Sequence, residues 1–232
     1  MENIMHFNNR FSTYKNINIG RTAVVFGSGP TLNLFDSKII PEKDALFVGV
    51  NSLVFKKDIT LDYYFCGHDS AREPHHLHHI TLENTLKEQI ISSKINRQIF
   101  CATHVDGRQH PLHFDFKDVV DMNAIPYSIH TGKGLQTIKK EIHENDLYNH
   151  SIVFSALQFI LYTGVEKIYL VGCDGGGGFS FLHPGKVWRD RIDWCWQEFS
   201  EFIKKEYDNV EVVSINPRLL EGLFHKDIWS LR

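Results

Sequence analysis

Stretches 23–26, 45–50 and 61–66 are apolar almost throughout, and each stops at small or polar residues. They read Ala23-Val24-Val25-Phe26 before Gly27, Ala45-Leu46-Phe47-Val48-Gly49-Val50 before Asn51, and Leu61-Asp62-Tyr63-Tyr64-Phe65-Cys66 before Gly67. A run without regular polar interruptions suits a parallel strand covered on both faces. Runs at 167–172 and 210–215 repeat the pattern, and 97–102 supplies a fourth strand in order. Helical spacing lies between them. Leu82, Leu86 and Ile90 share a face over 81–94, and 151–163 is apolar nearly all round, a buried helix that Gly164 would cap. Ile192, Cys195, Trp196, Phe199, Phe202 and Ile203 mark a long amphipathic helix. Strand and helix signals alternate to the end, with a polar tail after the last strand. This predicts one doubly wound α/β domain over 21–232, with a mostly parallel sheet and helices on both faces. Residues 1–20 form a polar, asparagine-rich arm. Residues 103–133 lack a clear period and are expected to form an irregular insertion, with a short strand at 119–122.

Composition narrows the class. The chain has 232 residues, 42% of them hydrophobic, which suffices for one core and argues against disorder. A net charge of −3 lacks the basic footprint of a general nucleic-acid binder. No apolar run is long enough to span a bilayer, and the first residues carry no basic-then-apolar signal pattern. Cys66, Cys101, Cys173 and Cys195 form no C-x-x-C pair and read as small buried hydrophobes in a reduced, cytoplasmic setting.

The first strand hands over to Gly27-Ser28-Gly29-Pro30-Thr31-Leu32. Glycine lets backbone approach a phosphate closely, and the free N–H groups at a helix start attract anions. Gly27, Ser28, Gly29, Pro30 and Thr31 are the expected nucleotide or phosphate site, with Thr31 as the cap of a short helix over 31–35. A tight strand-to-helix turn needs the same glycines with no ligand present. In open α/β sheets the ligand lies at the carboxyl ends of the strands. That adds Asn51 and Ser52 after the second run, Asp69 after the third, and Asp174 after 167–172. Asn51 could also be a plain turn residue, and Asp174 a turn cap. Asp69 and Asp174 could share a Mg²⁺ ion bridging phosphates, or one of them could orient a donor or acceptor without metal.

Four blocks in this order resemble a known domain: Gly27-Ser28-Gly29-Pro30-Thr31-Leu32, then Gly49-Val50-Asn51-Ser52, then 156–164 with Lys167-Ile168-Tyr169-Leu170-Val171-Gly172-Cys173-Asp174, then 213–220 with Asn216-Pro217. It is the Rossmann-like domain of bacterial CMP-sialic-acid sialyltransferases, motility-associated flagellin glycosyltransferases and archaeal 6-hydroxymethylpterin diphosphokinase-like proteins. The resemblance spans 21–223 and is weak over 73–149. It implies a nucleotide-sugar donor, CMP-linked in the sialyltransferase branch, and a small-molecule or glycan acceptor, in a protein that could assemble with copies of itself. It implies that Gly27, Ser28 and Gly29 lie against the nucleotide phosphate, that Asn51 contacts the nucleotide, and that His183 is the general base near Asp174. This chain departs from the family at Ser28, where the family has asparagine. It also has Gly175-Gly176-Gly177-Gly178, Phe179 and Phe181 where the sialyltransferases carry tyrosines that hold the leaving phosphate. Gly67-His68-Asp69 looks more like the diphosphokinase-like and flagellin branches.

The resulting reading is a nucleotide-dependent glycosyltransferase. The alternatives are a Mg²⁺-dependent diphosphokinase, with Asp69 and Asp174 as ligands, and a non-catalytic nucleotide-binding module. An imidazole with its ordinary pKa of about 6.5 suits proton uptake by His183. The chain has 14 histidines, so one such match also arises by chance. Lys186, Arg189 and Arg191 could hold an anion or form a solvated helix start. His75, His76, His78 and His79 read as an exposed helix start, because nothing completes a zinc ligand set. Trp188, Trp194 and Trp196 read as core or interface.

Overall fold

The computed structural model describes residues 10–37, 40–67, 86–109, 113–131, 138–142, 146–148, 150–174, 192–215 and 220–227. Its strands are β1 (Thr22–Phe26), β2 (Leu46–Val50), β3 (Leu61–Cys66), β4 (Ile95–Val105), β5 (Arg108–Gln109), β6 (Ile125–His130), β7 (Asp146–Tyr148), β8 (Lys167–Val171), β9 (Glu211–Ile215) and β10 (His225–Asp227). They form one sheet in the order β10-β9-β8-β1-β2-β3-β4-β6-β7, with β5 added to β4. The β4–β5 pair is antiparallel, and the other pairs are parallel. From β1 the chain steps outward through β2, β3, β4, β6 and β7. It then returns to the other flank of β1 as β8 and continues outward. The reversal sets a switch point between β1 and β8, the place where ligands bind in doubly wound sheets.

The apolar runs serve two cores. Ala23, Val25, Tyr63, Phe65, Ile168 and Leu170 face a layer containing α3 (Ile152–Tyr162) and α4 (Asp193–Glu206). Val24, Phe26, Tyr64, Cys66, Tyr169 and Val171 face a second layer with α1 (Leu86–Ser92) and α2 (Phe116–Asp121). Every residue of α3 is buried, as its all-round apolar sequence requires. Phe159 of α3 lies 4.5 Å from the ring of Phe100, 5.4 Å from Phe65 and 5.7 Å from Phe11.

Several elements differ from the sequence expectation. Residues 119–122 are not a strand. They belong to α2 and its C-terminal cap, started by an Asp115–Asp118 capping box. Val119 and Met122 are three apart and bury together, whereas Val120 between them is 58% exposed, so the period is helical. The stretch 103–133 is not an irregular insertion in its described part. It supplies the end of β4, then β5, α2 and β6, and β6 shows alternating burial. The polar tail contributes β10. Thr31 does not cap its helix. A 3-10 helix runs over Pro30–Leu34, and Gly29 is its N-cap with no side-chain cap bond.

The arm reaches into the core. A 3-10 helix at Arg10–Tyr14 inserts Phe11, which is fully buried. Asn16 and Asn18 then donate their N–H groups to the carbonyls of Tyr162 (3.2 Å) and Thr163 (2.8 Å), satisfying the end of α3. Gly164, at φ +87°, ends that helix. Among the described residues, no helix is long and apolar enough to cross a membrane.

Two outcomes follow from this packing. Phe11→Ala is expected to lower unfolding free energy by about 3–5 kcal/mol in denaturant melts, because it empties a fully buried aromatic site. An arm that merely rests on the surface would give a change within about 0.5 kcal/mol. All four cysteines are free and buried. Burial pushes the Cys195 thiol up to about 11 and raises Cys173 further. Ellman titration of the native protein near pH 8 is expected to find no fast-reacting thiol and to find four after unfolding. A rapid native equivalent would contradict this packing.

Candidate functional site

Three glycines bring the ends of β1 and β8 into contact. The Gly27 N–H donates to the Val171 carbonyl at 2.8 Å, and the Gly29 N–H donates to the Gly172 carbonyl at 2.8 Å. A Cβ on Gly27 would lie 2.5 Å from the Gly172 oxygen, and one on Gly172 would lie 2.5 Å from the Gly27 oxygen. Gly172 also sits at φ +67°, a region costly for other residues. The two loops touch backbone to backbone, so no side chain fits between them.

Asp174 completes the junction. Its Oδ2 accepts the Thr31 N–H at 3.1 Å, at the start of the 3-10 helix. The Thr31 hydroxyl accepts the Gly172 N–H at 3.2 Å. Asp174 is only 4% exposed, and a Cβ on Gly29 would stand 2.0 Å from its Oδ2. An N–H aimed at an anion is thus present at the glycine turn, and the anion it meets is this chain's own carboxylate.

One strand away, Asn51 follows β2 in a left-handed conformation, φ +43°, which asparagine tolerates better than most residues. Its side-chain oxygen accepts the Gly67 N–H, just past β3, at 3.2 Å. Its carbonyl accepts the Tyr64 hydroxyl. Burial raises the Tyr64 pKa well above its usual value, which keeps that hydroxyl a donor. With its oxygen fixed on Gly67, the Asn51 amide N–H₂ has no partner among the described residues. Ser52 is buried in the 3-10 helix that follows. A Cβ on Gly67 would lie 3.0 Å from the Ile152 side chain, so the first residue of α3 sits over the end of β3. Ser151, the N-cap of α3, makes no side-chain cap bond.

The structure thus gathers Gly27, Ser28, Gly29, Pro30, Thr31 and Asp174 at the switch point, with Asn51 and Ser52 beside them. Asp69, His183 and the Gly175–Gly178 run lie outside the described residues, as do Lys186, Arg189 and Arg191. Gly172, Gly67 and Ser151 were not among the expected site residues. Gly67 and Gly172 carried a signal, each as a glycine closing an apolar run, and Ser151 carried none. Asp174 is met by an N–H donor, no three His, Cys, Asp or Glu side chains converge among the described residues, and Asp69, the other expected Mg²⁺ ligand, lies outside them.

No family model matches the sequence, and no curated protein is similar to it by sequence. Solved structures are similar to it in shape. The monofunctional α-2,3-sialyltransferase Cst-I of Campylobacter jejuni superposes with a TM-score of 0.55 at 16% identity, covering 90% of this chain and 81% of that one. The two chains share a fold. The sialyltransferase CstII of the same organism, solved with cytidine-5'-monophosphate, gives 0.54 at 18% identity over 91% of this chain and 86% of its own. The MAf glycosyltransferase of Magnetospirillum magneticum gives 0.53 at 12% identity, and 91% of this chain covers 37% of that larger protein.

The junction can be tested directly. Gly29→Ala is expected to cost roughly 1–3 kcal/mol, because the new methyl displaces the Asp174 carboxylate. Asp174→Ala is expected to cost a similar amount, about 1–3 kcal/mol, by leaving the Thr31 N–H unsatisfied. The double variant should cost less than the sum, since both changes break one contact. Full additivity in urea melts would mean that the two residues are not coupled.

Proposed function

We propose that this protein is a nucleotide-dependent glycosyltransferase with a CMP-linked sugar donor bound at the β1/β8 switch point. The observation that carries the reading is that junction. Gly27, Gly29 and Asp174 build a rigid floor at the carboxyl edge of a fold shared with a sialyltransferase solved with CMP.

Within this reading, Ser28 and the Asn51 N–H₂ supply hydrogen bonds to acceptor atoms of the nucleotide. Asp174 holds the glycine turn in shape. In the transfer step, an acceptor hydroxyl oxygen bonds to the anomeric carbon of the donor. The bond from that carbon to the phosphate oxygen breaks, and the electron pair leaves on the nucleotide. The hydroxyl proton passes to a histidine, assigned to His183 through the resemblance to the sialyltransferases. The protein works in the cytoplasm, where its four buried thiols stay reduced.

A thermal-shift panel of CMP, CDP, UDP, GDP, AMP and ATP, each with and without Mg²⁺, tests the assignment. CMP at about 100 times its Kd should add about 2.7 kcal/mol and raise Tm by roughly 5–10 °C, with or without Mg²⁺. A shift by ATP that requires Mg²⁺ would favour phosphoryl transfer instead. The absence of any shift would remove both.

A further inference from the structure

A pocket of about 330 Å³ opens at the amino edge of the sheet, where the C-terminal ends of α3 and α4 come together. Tyr162 ends α3 there, Glu206 and Tyr207 end α4, and the arm contributes Lys15 and Asn16. Its volume lies in the range that small molecules occupy. Glu166, in its wall, precedes β8, whereas Gly172 of the glycine turn follows β8. That five-residue strand spans roughly 17 Å. The pocket is therefore separate from the switch point, and what binds it does not depend on the glycosyl-transfer reading.

The walls carry Glu141, Glu166 and Glu206 against Lys15 and Lys140, three carboxylates to two ammonium groups. Both ammonium groups are committed. Lys15 Nζ donates to both carboxylate oxygens of Glu141 at 2.7 Å. Lys140 Nζ donates to the Glu206 carbonyl at 2.7 Å, lies 4.0 Å from the Glu206 carboxylate and stands 5.0 Å from the centroid of the Tyr207 ring. Glu166 is exposed and meets no cation among the described residues. Two helix C-termini, each with a partial negative charge, end at the same place. The pocket is thus left with an uncompensated negative charge.

Tyr162 supplies an independent sign of a ligand. It is only 4% exposed, yet its hydroxyl has no hydrogen-bond partner among the described residues. The charges that act on it are those of Glu141 and Lys15, both in the pocket wall, so the hydroxyl points toward the cavity. Burial raises the phenol above its ordinary value, so it stays protonated at neutral pH and keeps its oxygen lone pairs for a donor. A buried hydroxyl without a partner is costly. Ile19, Val165 and Val210 add aliphatic surface beside it.

We propose that this pocket binds a short-chain aliphatic amine as its monocation. The ammonium group donates to the Tyr162 hydroxyl and to the Glu166 carboxylate, and the hydrocarbon chain lies against Ile19, Val165 and Val210. An anion is disfavoured, because both lysines already serve oxygen acceptors. A bare metal cation would leave the aliphatic wall unused. The walls come from the arm, the 138–142 segment and the ends of α3 and α4, so a bound amine ties the arm to the body and stabilises the folded chain.

Calorimetric titration of the whole chain with butylamine, 1-butanol, butyrate and KCl tests this, alongside thermal melts in the same additives. Butylamine is expected to bind saturably and raise Tm, and the other three to do neither. Tyr162→Phe keeps the buried ring and should weaken butylamine binding roughly 5-fold. Glu166→Gln, at an exposed position, should weaken it roughly 3-fold. If Tyr162→Phe fails to fold, the Glu166→Gln titration decides alone. Equal binding of 1-butanol would mean a merely apolar pocket, and binding of butyrate or K⁺ in place of butylamine would mean the opposite charge preference or an inorganic site. Any of these overturns the proposal, as does an absence of butylamine binding or an affinity unchanged in the folded variants.

Discussion

The contact between the ends of β1 and β8 is the constraint on which the rest depends. Parallel neighbours in a doubly wound sheet diverge after their last residues, because each must enter a connection on its own face. Here they stay together for three more residues. The Gly29 N–H meets the Gly172 carbonyl, the Gly172 N–H meets the Thr31 hydroxyl, and the Thr31 N–H meets the Asp174 carboxylate. Each bond alone is worth about 1 kcal/mol. Their shared geometry matters more, since it leaves no room for a side chain at Gly27, Gly29 or Gly172. The switch point is consequently a tightly specified piece of backbone at the carboxyl edge.

A second constraint comes from burying α3 on all sides. A helix with no polar face needs cover beyond the sheet, and the chain supplies it from both ends. The arm brings Phe11 and Tyr14 against Phe159, and α4 brings Trp196 and Phe199 against Phe154. The arm also satisfies the carbonyls at the end of α3 through Asn16 and Asn18. The asparagine-rich arm thus has a structural use that its composition hides.

The legible parts of the fold are those where burial is two-sided. β1, β2, β3, β8 and β9 are apolar in sequence because helices cover both their faces, and α3 is apolar for a related reason. β6 alternates in burial, with a proline and a serine at its half-exposed positions, so its signal merged with the surrounding polar stretch. β7 and β10 have three residues each, too few to show any period. α2 was misread because a window of four residues, Val119 to Met122, cannot separate a period of two from one of 3.6. At the site, the glycines were legible as a demand for close approach. What approaches them was not. A glycine in sequence reports missing space without naming the occupant, and here that occupant is the backbone of a loop about 145 residues later.

This changes how charge is arranged at the mouth. A helix start with free N–H groups is the usual receptor for a phosphate in such folds, yet the Thr31 N–H already faces Asp174, an anion that is almost wholly buried. A second anion brought against Asp174 would be repelled at short range in a poorly screened setting. Under the proposed glycosyl transfer, the glycine turn is therefore better suited to neutral parts of a nucleotide, such as ribose and base edges, than to its phosphate.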